Sequence, residues 1–208
     1  MYDLLIVDAR IVDGTGAPYF FGDVGVTGDV ITAVGRLSGQ LARRTVVAGG
    51  RVVAPGFIDI HSHSDASYLI NPLGESKVRQ GVTLEVVGQC GWSLAPLEGA
   101  ARDEIKKDLE AEDDVEIRWR SMGEYLACLE EARPSVNLAV VAGHGTIRGS
   151  AMGYDARAPT PQEGHRMREL LRQALYEGAF GLSTGLIYPP GSFSSTEEIV
   201  DLAREMVA

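Results

Sequence analysis

The chain is short of the residues that build an extracellular scaffold. It has two cysteines, Cys90 and Cys128, in 208 residues. No paired disulfide framework is visible, which fits a reducing cytoplasm. Positive charge is also scarce. Nineteen Lys and Arg stand against 29 Asp and Glu, for a formal net charge of −10. An acidic chain repels phosphate backbones and anionic lipid, so nucleic-acid and membrane-surface partners are excluded. No apolar stretch approaches the roughly 20 residues of a membrane helix. The first residues, Met1 to Asp8, lack a basic segment, and their apolar run is too short for a signal peptide. A soluble cytoplasmic protein is the expectation.

Several motifs are missing too. There is no Walker lysine motif and no His-Glu-x-x-His. Gly14-x-Gly16 and Gly143-x-Gly145 lack the third glycine of a dinucleotide fingerprint. Gly181-Leu182-Ser183-Thr184-Gly185 fits the G-x-S-x-G pattern of a nucleophile elbow, which requires a helix straight after the serine. Two prolines follow instead, and no histidine comes after Ser183 to complete a triad. Internal repeats and low-complexity tracts are absent.

What remains is an ordinary globular composition, 45% apolar and 23% charged. Residues 1–54 are rich in Val, Ile, Gly and Asp. Short strands are expected at Leu4–Val7, Ile11–Val12, Asp23–Val26, Val30–Val34 and Thr45–Val53, separated by glycine turns. From Pro55 the pattern changes to strands alternating with helices, the mark of a parallel α/β arrangement. The expected strands are Phe57–His61, Val82–Val87, Val136–Val141 and Ala179–Ser183. Helices are expected near Ser76–Gln80, Arg102–Glu112, Met122–Glu131, Pro161–Glu177 and Ser195–Val207. Thr160 before Pro161, with Glu163 following, and Ser195 before Thr196-Glu197-Glu198 read as N-caps. The charged run Glu98–Trp119 reads as a solvated helix and loop.

The most informative residues are His61 and His63. They follow the apolar run Gly56-Phe57-Ile58-Asp59-Ile60, which reads as a buried strand. Side chains two apart at a strand end point to the same side. Neutral imidazoles are common zinc ligands, and two of them supply half of a tetrahedral shell. Two polar loop histidines are the plainer reading; their place at the end of an apolar strand favours metal. His144 sits between two glycines after the third strand. It either lines a site or bonds a loop carbonyl. Asp65 either orients a ligand or caps a turn. His165 lies among arginines on a helix and is expected to face solvent. Cys128 sits near Leu126 and Leu129 and is expected to pack in the core.

The stretch Pro55-Gly56-Phe57-Ile58-Asp59-Ile60-His61-Ser62-His63 resembles the first barrel strand of the amidohydrolase superfamily. Gly81-Val82-Thr83-Leu84-Glu85-Val86-Val87-Gly88-Gln89-Cys90-Gly91 resembles the second strand of the N-acyl-D-amino-acid deacylases (D-aminoacylases). Gly143 to Arg148 and Gly178 to Gly191 match the same family, in the same order.

The resemblance implies a fold of class α/β. Residues 1–54 would be the N-terminal portion of a β-sandwich, and residues 55–208 an incomplete (β/α)8 TIM-type barrel. A whole barrel needs eight strand–helix units, typically in ~250 residues; about four are present, so the sequence reads as the N-terminal half of a longer protein. It also implies Zn2+ held by His61, His63 and Cys90, and Tyr188 near the substrate, where simple loop packing is the plainer reading; His144, if it lines the site, would join Tyr188 there. The reaction would be hydrolysis of a linear amide in a small N-acyl-D-amino acid. Zinc would polarise the carbonyl and acidify the attacking water. The family's proton-shuttling aspartate and further histidine ligands lie near later strands, so no general acid or base is assigned in this chain. As a fragment it is expected to be inactive alone and to need its missing half or to self-associate. The alternatives are a cyclic-amide amidohydrolase of the hydantoinase or dihydroorotase type, or a non-catalytic metal-binding half-domain. The first normally uses a lysine on the fourth strand, and Ala179–Gly185 has none.

Overall fold

The computed structural model describes residues 1–112 and 115–207. The chain divides into two compact units, Met1–Gly56 and Phe57–Ala208.

The first unit is a sheet of five strands: β1 (Tyr2–Ile11), β2 (Phe20–Thr27), β3 (Val30–Gly35), β4 (Ala42–Val47) and β5 (Val52–Val53). The order is β3-β2-β1-β4, with β5 also against β1. β1–β2 and β2–β3 pair antiparallel, whereas β4 and β5 run parallel to β1. Leu4–Val7 and Ile11, expected in separate strands, belong to one strand. Its register shifts between Ile6 and Ala9, where Asp8 takes a φ of +56°. The bulge is held from outside the ladder, because the Asp8 amide donates to Asp23 Oδ1 at 3.0 Å. Thr45–Val53 is interrupted, as Gly49 and Gly50 turn the chain between β4 and β5. Ala9, Ile11, Val24 and Ala48 form a small core.

The second unit carries the parallel strands β6 (Phe57–Asp59), β7 (Val82–Val87) and β8 (Asn137–Val140) side by side in chain order. β9 (Ala142–Gly143) follows β8 after one residue and pairs in parallel with β10 (Leu182–Ser183). The two pairings are continuous. The Val141 amide donates to Val87 O, and the Phe180 amide to Val140 O. Crossovers between parallel strands need long connections, and helices fill them.

Those helices are α1 (Ser67–Ile70), α2 (Glu75–Val78), α3 (Gly99–Glu112), α4 (Met122–Ala132), α5 (His144–Met152) and α6 (Pro161–Tyr176); α7 (Thr196–Ala203) follows β10. Helix α6 shows why. Met167, Leu170, Leu171 and Ala174 recur at helical spacing and are all buried. Reciprocal capping boxes fix the starts of α4 (Ser121, Glu124) and α6 (Thr160, Glu163). The core joins Val87, Val140 and Ala142 of the sheet to Trp119, Tyr125 and Leu171.

Two expectations change here. The run Glu98–Trp119 is not simply a solvated exterior. Ala101, Ile105 and Leu109 line one buried side of α3, and Trp119 lies in the core with Nε1 donating to Leu94 O at 2.6 Å; residues 113–114 fall outside the described chain. Helix α5 takes the place of an expected loop. Seven of its nine residues are buried, so it has no polar face to give it a helical period. Among the described residues, no helix is long and apolar enough to cross a membrane.

Candidate metal centre

The site lies within the second unit, where the chain leaves β6 and β7. Strand β6 stops at Asp59, so His61 and His63 sit on the loop beyond it and not within the strand. Their rings still meet, edge to face, with centroids 5.5 Å apart. Cys90 arrives from the turn after β7. One donor atom from each of His61, His63 and Cys90 lies within 4.8 Å of the others, and Cys90 Sγ is 3.3 Å from His61 Nε2. Bonds of ~2.3 Å to sulfur and ~2.0 Å to nitrogen place tetrahedral donors roughly 3.3–3.6 Å apart. The set therefore fits a zinc-sized ion with a small closing movement. Both histidines are exposed, and Cys90 is half-buried.

Each arm is braced. The His61 amide donates to Asp59 Oδ1 at 3.2 Å. Lys77 Nζ reaches Asp59 Oδ2 at 2.6 Å and Ser62 Oγ at 3.4 Å. Lys77 also lies 3.3 Å from Glu85, a fully buried carboxylate that accepts from the Tyr68 hydroxyl. Burial works against the charge on Glu85. The Ser62, Tyr68 and Ser64 hydroxyls and Lys77 outweigh it and hold the carboxyl below its ordinary value. The two arms are tied together by Gln89, whose Nε2 donates to Ile60 O at 3.1 Å.

The cysteine arm is a tight turn. Cys90 has a φ of +57°, a conformation that side chains with a Cβ seldom adopt. It is flanked by Gly88 at +85° and Gly91 at +77°. Gly185, after β10, lies so close that a Cβ there would overlap the Cys90 carbonyl oxygen.

Beside His63 and Cys90 opens a cavity of about 300 Å3, walled by Trp92, Tyr154, Tyr188 and Pro190 among others. Tyr188 thus borders the site. His144 does not. Its side chain is wholly buried, and Nε2 pairs with Glu198 Oε1 at 2.8 Å. The same carboxylate receives Arg148 Nη1 at 2.6 Å. Helix α5 begins at His144, and its ring turns toward Glu198 of α7 rather than lining this cavity. Asp65 is fully buried. Burial pushes its carboxyl up to about 7, against the pull of the Asp65 and Gly88 backbone amides. Cys128 packs at the edge of the core, where burial raises its thiol. His165 faces solvent beside Glu169.

Ser183 is no free nucleophile. Its hydroxyl donates to Gly88 O and accepts from the Gly91 amide at 3.0 Å. Sequence reasoning missed Trp92, Tyr154, Lys77, Glu85 and Glu198. For Trp92 a signal existed, since it stands two residues beyond Cys90. For Glu198, which meets His144 across 54 residues, there was none.

A family model described as "Amidohydrolase family" matches residues 44–205, and the chain belongs to that family. It is 40% identical over 207 residues to the D-aminoacylase of Alcaligenes xylosoxydans xylosoxydans, covering 100% of this chain and 42% of that protein. A structure of D-aminoacylase, determined in work on its binuclear metal centre, superposes with a TM-score of 0.90 at 41% identity, covering 100% of this chain and 43% of the other. An N-acyl-D-glutamate deacylase from Bordetella bronchiseptica, complexed with zinc and a phosphonate mimic of the tetrahedral intermediate, superposes with a TM-score of 0.87. The identity there is 39%, over 99% of this chain and 43% of that one. The chain thus spans about two fifths of the length of these relatives.

Proposed function

We propose that this chain is the metal-binding portion of a zinc-dependent hydrolase that cleaves the linear amide of N-acyl-D-amino acids. The carrying observation is the convergence of His61, His63 and Cys90 beside an open, aromatic-walled cavity. The related deacylases act on N-acyl-D-amino acids, and one is known with zinc, which supports the choice of substrate and metal. In the same reading, the parallel strands β6 to β10 form part of a (β/α)8 barrel. The sheet of residues 1–54 contributes to a β-sandwich.

In this reading His61 and His63 offer neutral nitrogens, and Cys90 offers a thiolate. Zinc, when bound, supplies Lewis acidity toward the scissile carbonyl and toward water. The chain's own residues do the rest of what can be assigned. Asp59 and Lys77 hold the histidine loop, and Gln89 keeps the two arms in register. Tyr188, Trp92 and Tyr154 exclude water from one side of the substrate.

The test uses the full-length protein. Metal content after dialysis should fall strongly in the double variant His61→Ala/His63→Ala. It should fall more in Cys90→Ser than in Cys128→Ser, because an alcohol is a poor zinc ligand. N-acetyl-D-amino acids should be hydrolysed and their L enantiomers should not. Full zinc retention in the double variant would reject the ligand set, and equal turnover of both enantiomers would reject the substrate class.

A further inference from the structure

We propose that Ser183 is the positioning residue of the Cys90 thiolate, a role that rests on the metal reading above. Its hydroxyl sits across the turn from Gly88 to Gly91. It donates to the carbonyl at the start of that turn and accepts from the amide at its end, at 3.0 Å. These bonds join positions 95 and 92 residues apart, so they come from β10 and not from the turn itself. Between the two anchors lies Cys90 at a φ of +57°. A non-glycine residue in that region is strained and persists only where its surroundings over-determine it.

The second anchor is steric. Gly185, two residues beyond Ser183, packs its backbone against the Cys90 carbonyl with no room for a side chain. The Thr146 amide adds a bond to Gly91 O at 3.2 Å. Without the hydroxyl, Gly88 O and the Gly91 amide each lose a partner, and the turn is free to relax toward negative φ. Such a change swings Cβ and Sγ of Cys90 away from His61 Nε2. The Gly-Leu-Ser-Thr-Gly segment is thus a clamp: the serine holds the cysteine turn by hydrogen bonds and the second glycine by close approach.

Removing a residue that orients a metal ligand typically costs 10- to 100-fold in metal affinity. The experiment compares Ser183→Ala, Cys90→Ser and Ser150→Ala in the full-length protein by zinc competition against a chromogenic chelator. Ser150 is the control. Its hydroxyl is buried where that of Ser183 is half-buried, and it too accepts one amide, from Glu98 at 3.1 Å, and donates to one carbonyl, of Pro96 at 3.2 Å, but it has no bond to the Cys90 turn. Zinc affinity should fall about 10- to 100-fold in Ser183→Ala, and stay near wild type in Ser150→Ala. With cobalt in place of zinc, the thiolate-to-metal charge-transfer absorption should weaken or shift in Ser183→Ala, disappear in Cys90→Ser and stay unchanged in Ser150→Ala.

Wild-type affinity and spectrum in Ser183→Ala, with zinc lost in Cys90→Ser, would overturn the clamp and leave the metal reading intact. Retention of zinc in Cys90→Ser would remove the metal reading itself. Equal losses in both serine variants would reduce Ser183 to general stability and overturn its positioning role. If Ser183→Ala does not fold, the metal-free wild type decides: the Gly91 amide should exchange slowly with solvent, and fast exchange would refute the clamp.

Discussion

Glu198 shows how much one carboxylate can organise. It is 7% exposed and receives both His144 Nε2 and Arg148 Nη1, while Arg148 Nη2 also reaches Arg157 O at 2.5 Å. Burial opposes its charge, but His144 and Arg148 outweigh burial and hold its carboxyl below the ordinary value. Removing one member of a buried pair leaves the other charge uncompensated, at a cost of roughly 3–5 kcal/mol. Glu198→Gln should therefore lower stability at neutral pH by about that amount, as read by denaturant titration. The pH dependence has a definite sign. A carboxyl with a depressed folded value stabilises above its unfolded pKa of about 4.3 and loses that contribution as pH falls through the folded value. The gap between wild type and Glu198→Gln should narrow as pH falls below about 4. A gap that widens with acid would contradict the pairing.

Among the secondary elements, the helix starts carry the clearest local signals. Thr160 accepts from the Glu163 amide, and Glu163 returns a bond to the Thr160 amide at 2.7 Å while holding Arg157 through both oxygens. Thr160→Ala should cost about 1 kcal/mol, measurable by urea unfolding, without changing metal content. Pro161 and the caps made α6 legible before any tertiary contact was known. Helix α5 had none of these marks. Gly145 and Gly149 interrupt it, and burial on nearly all sides erases the polar–apolar alternation that a reader relies on. Its helical state comes from packing against α3 and α6. The same limit hid the end of β6. The apolar run continues through Ile60, but the ladder with β7 ends at Asp59 and only the Ser62 amide, donating to Val86 O at 3.1 Å, still joins the histidine loop to it.

For the whole molecule, the candidate metal centre joins two loops that the chain separates by 29 residues. A ligand that binds only the folded state stabilises it by mass action, by about 2.7 kcal/mol at a hundredfold excess over Kd. Zinc should therefore raise the unfolding midpoint of the full-length protein, and a chelator should reverse the rise. The shift should vanish in His61→Ala/His63→Ala. An unchanged midpoint in wild type with saturating zinc would mean that His61, His63 and Cys90 do not hold the ion together.

The sequence by itself determined the ingredients. His61 and His63 stand two residues apart just beyond an apolar run, and Cys90 lies in a glycine-rich turn. The apolar runs after Pro55 alternate with capped helices, which sets a parallel α/β order. Each of these is written within a window of a few residues, where propensity, periodicity and capping act. Tertiary structure decided what meets what. Registry of β6 against β7 brings Cys90 to within 3.3 Å of His61, and β10 delivers the Ser183 hydroxyl to the cysteine turn. It also turned His144 inward to Glu198 and buried Asp65. Those outcomes depend on sheet order and on close approach between distant backbones, and no local pattern encodes either.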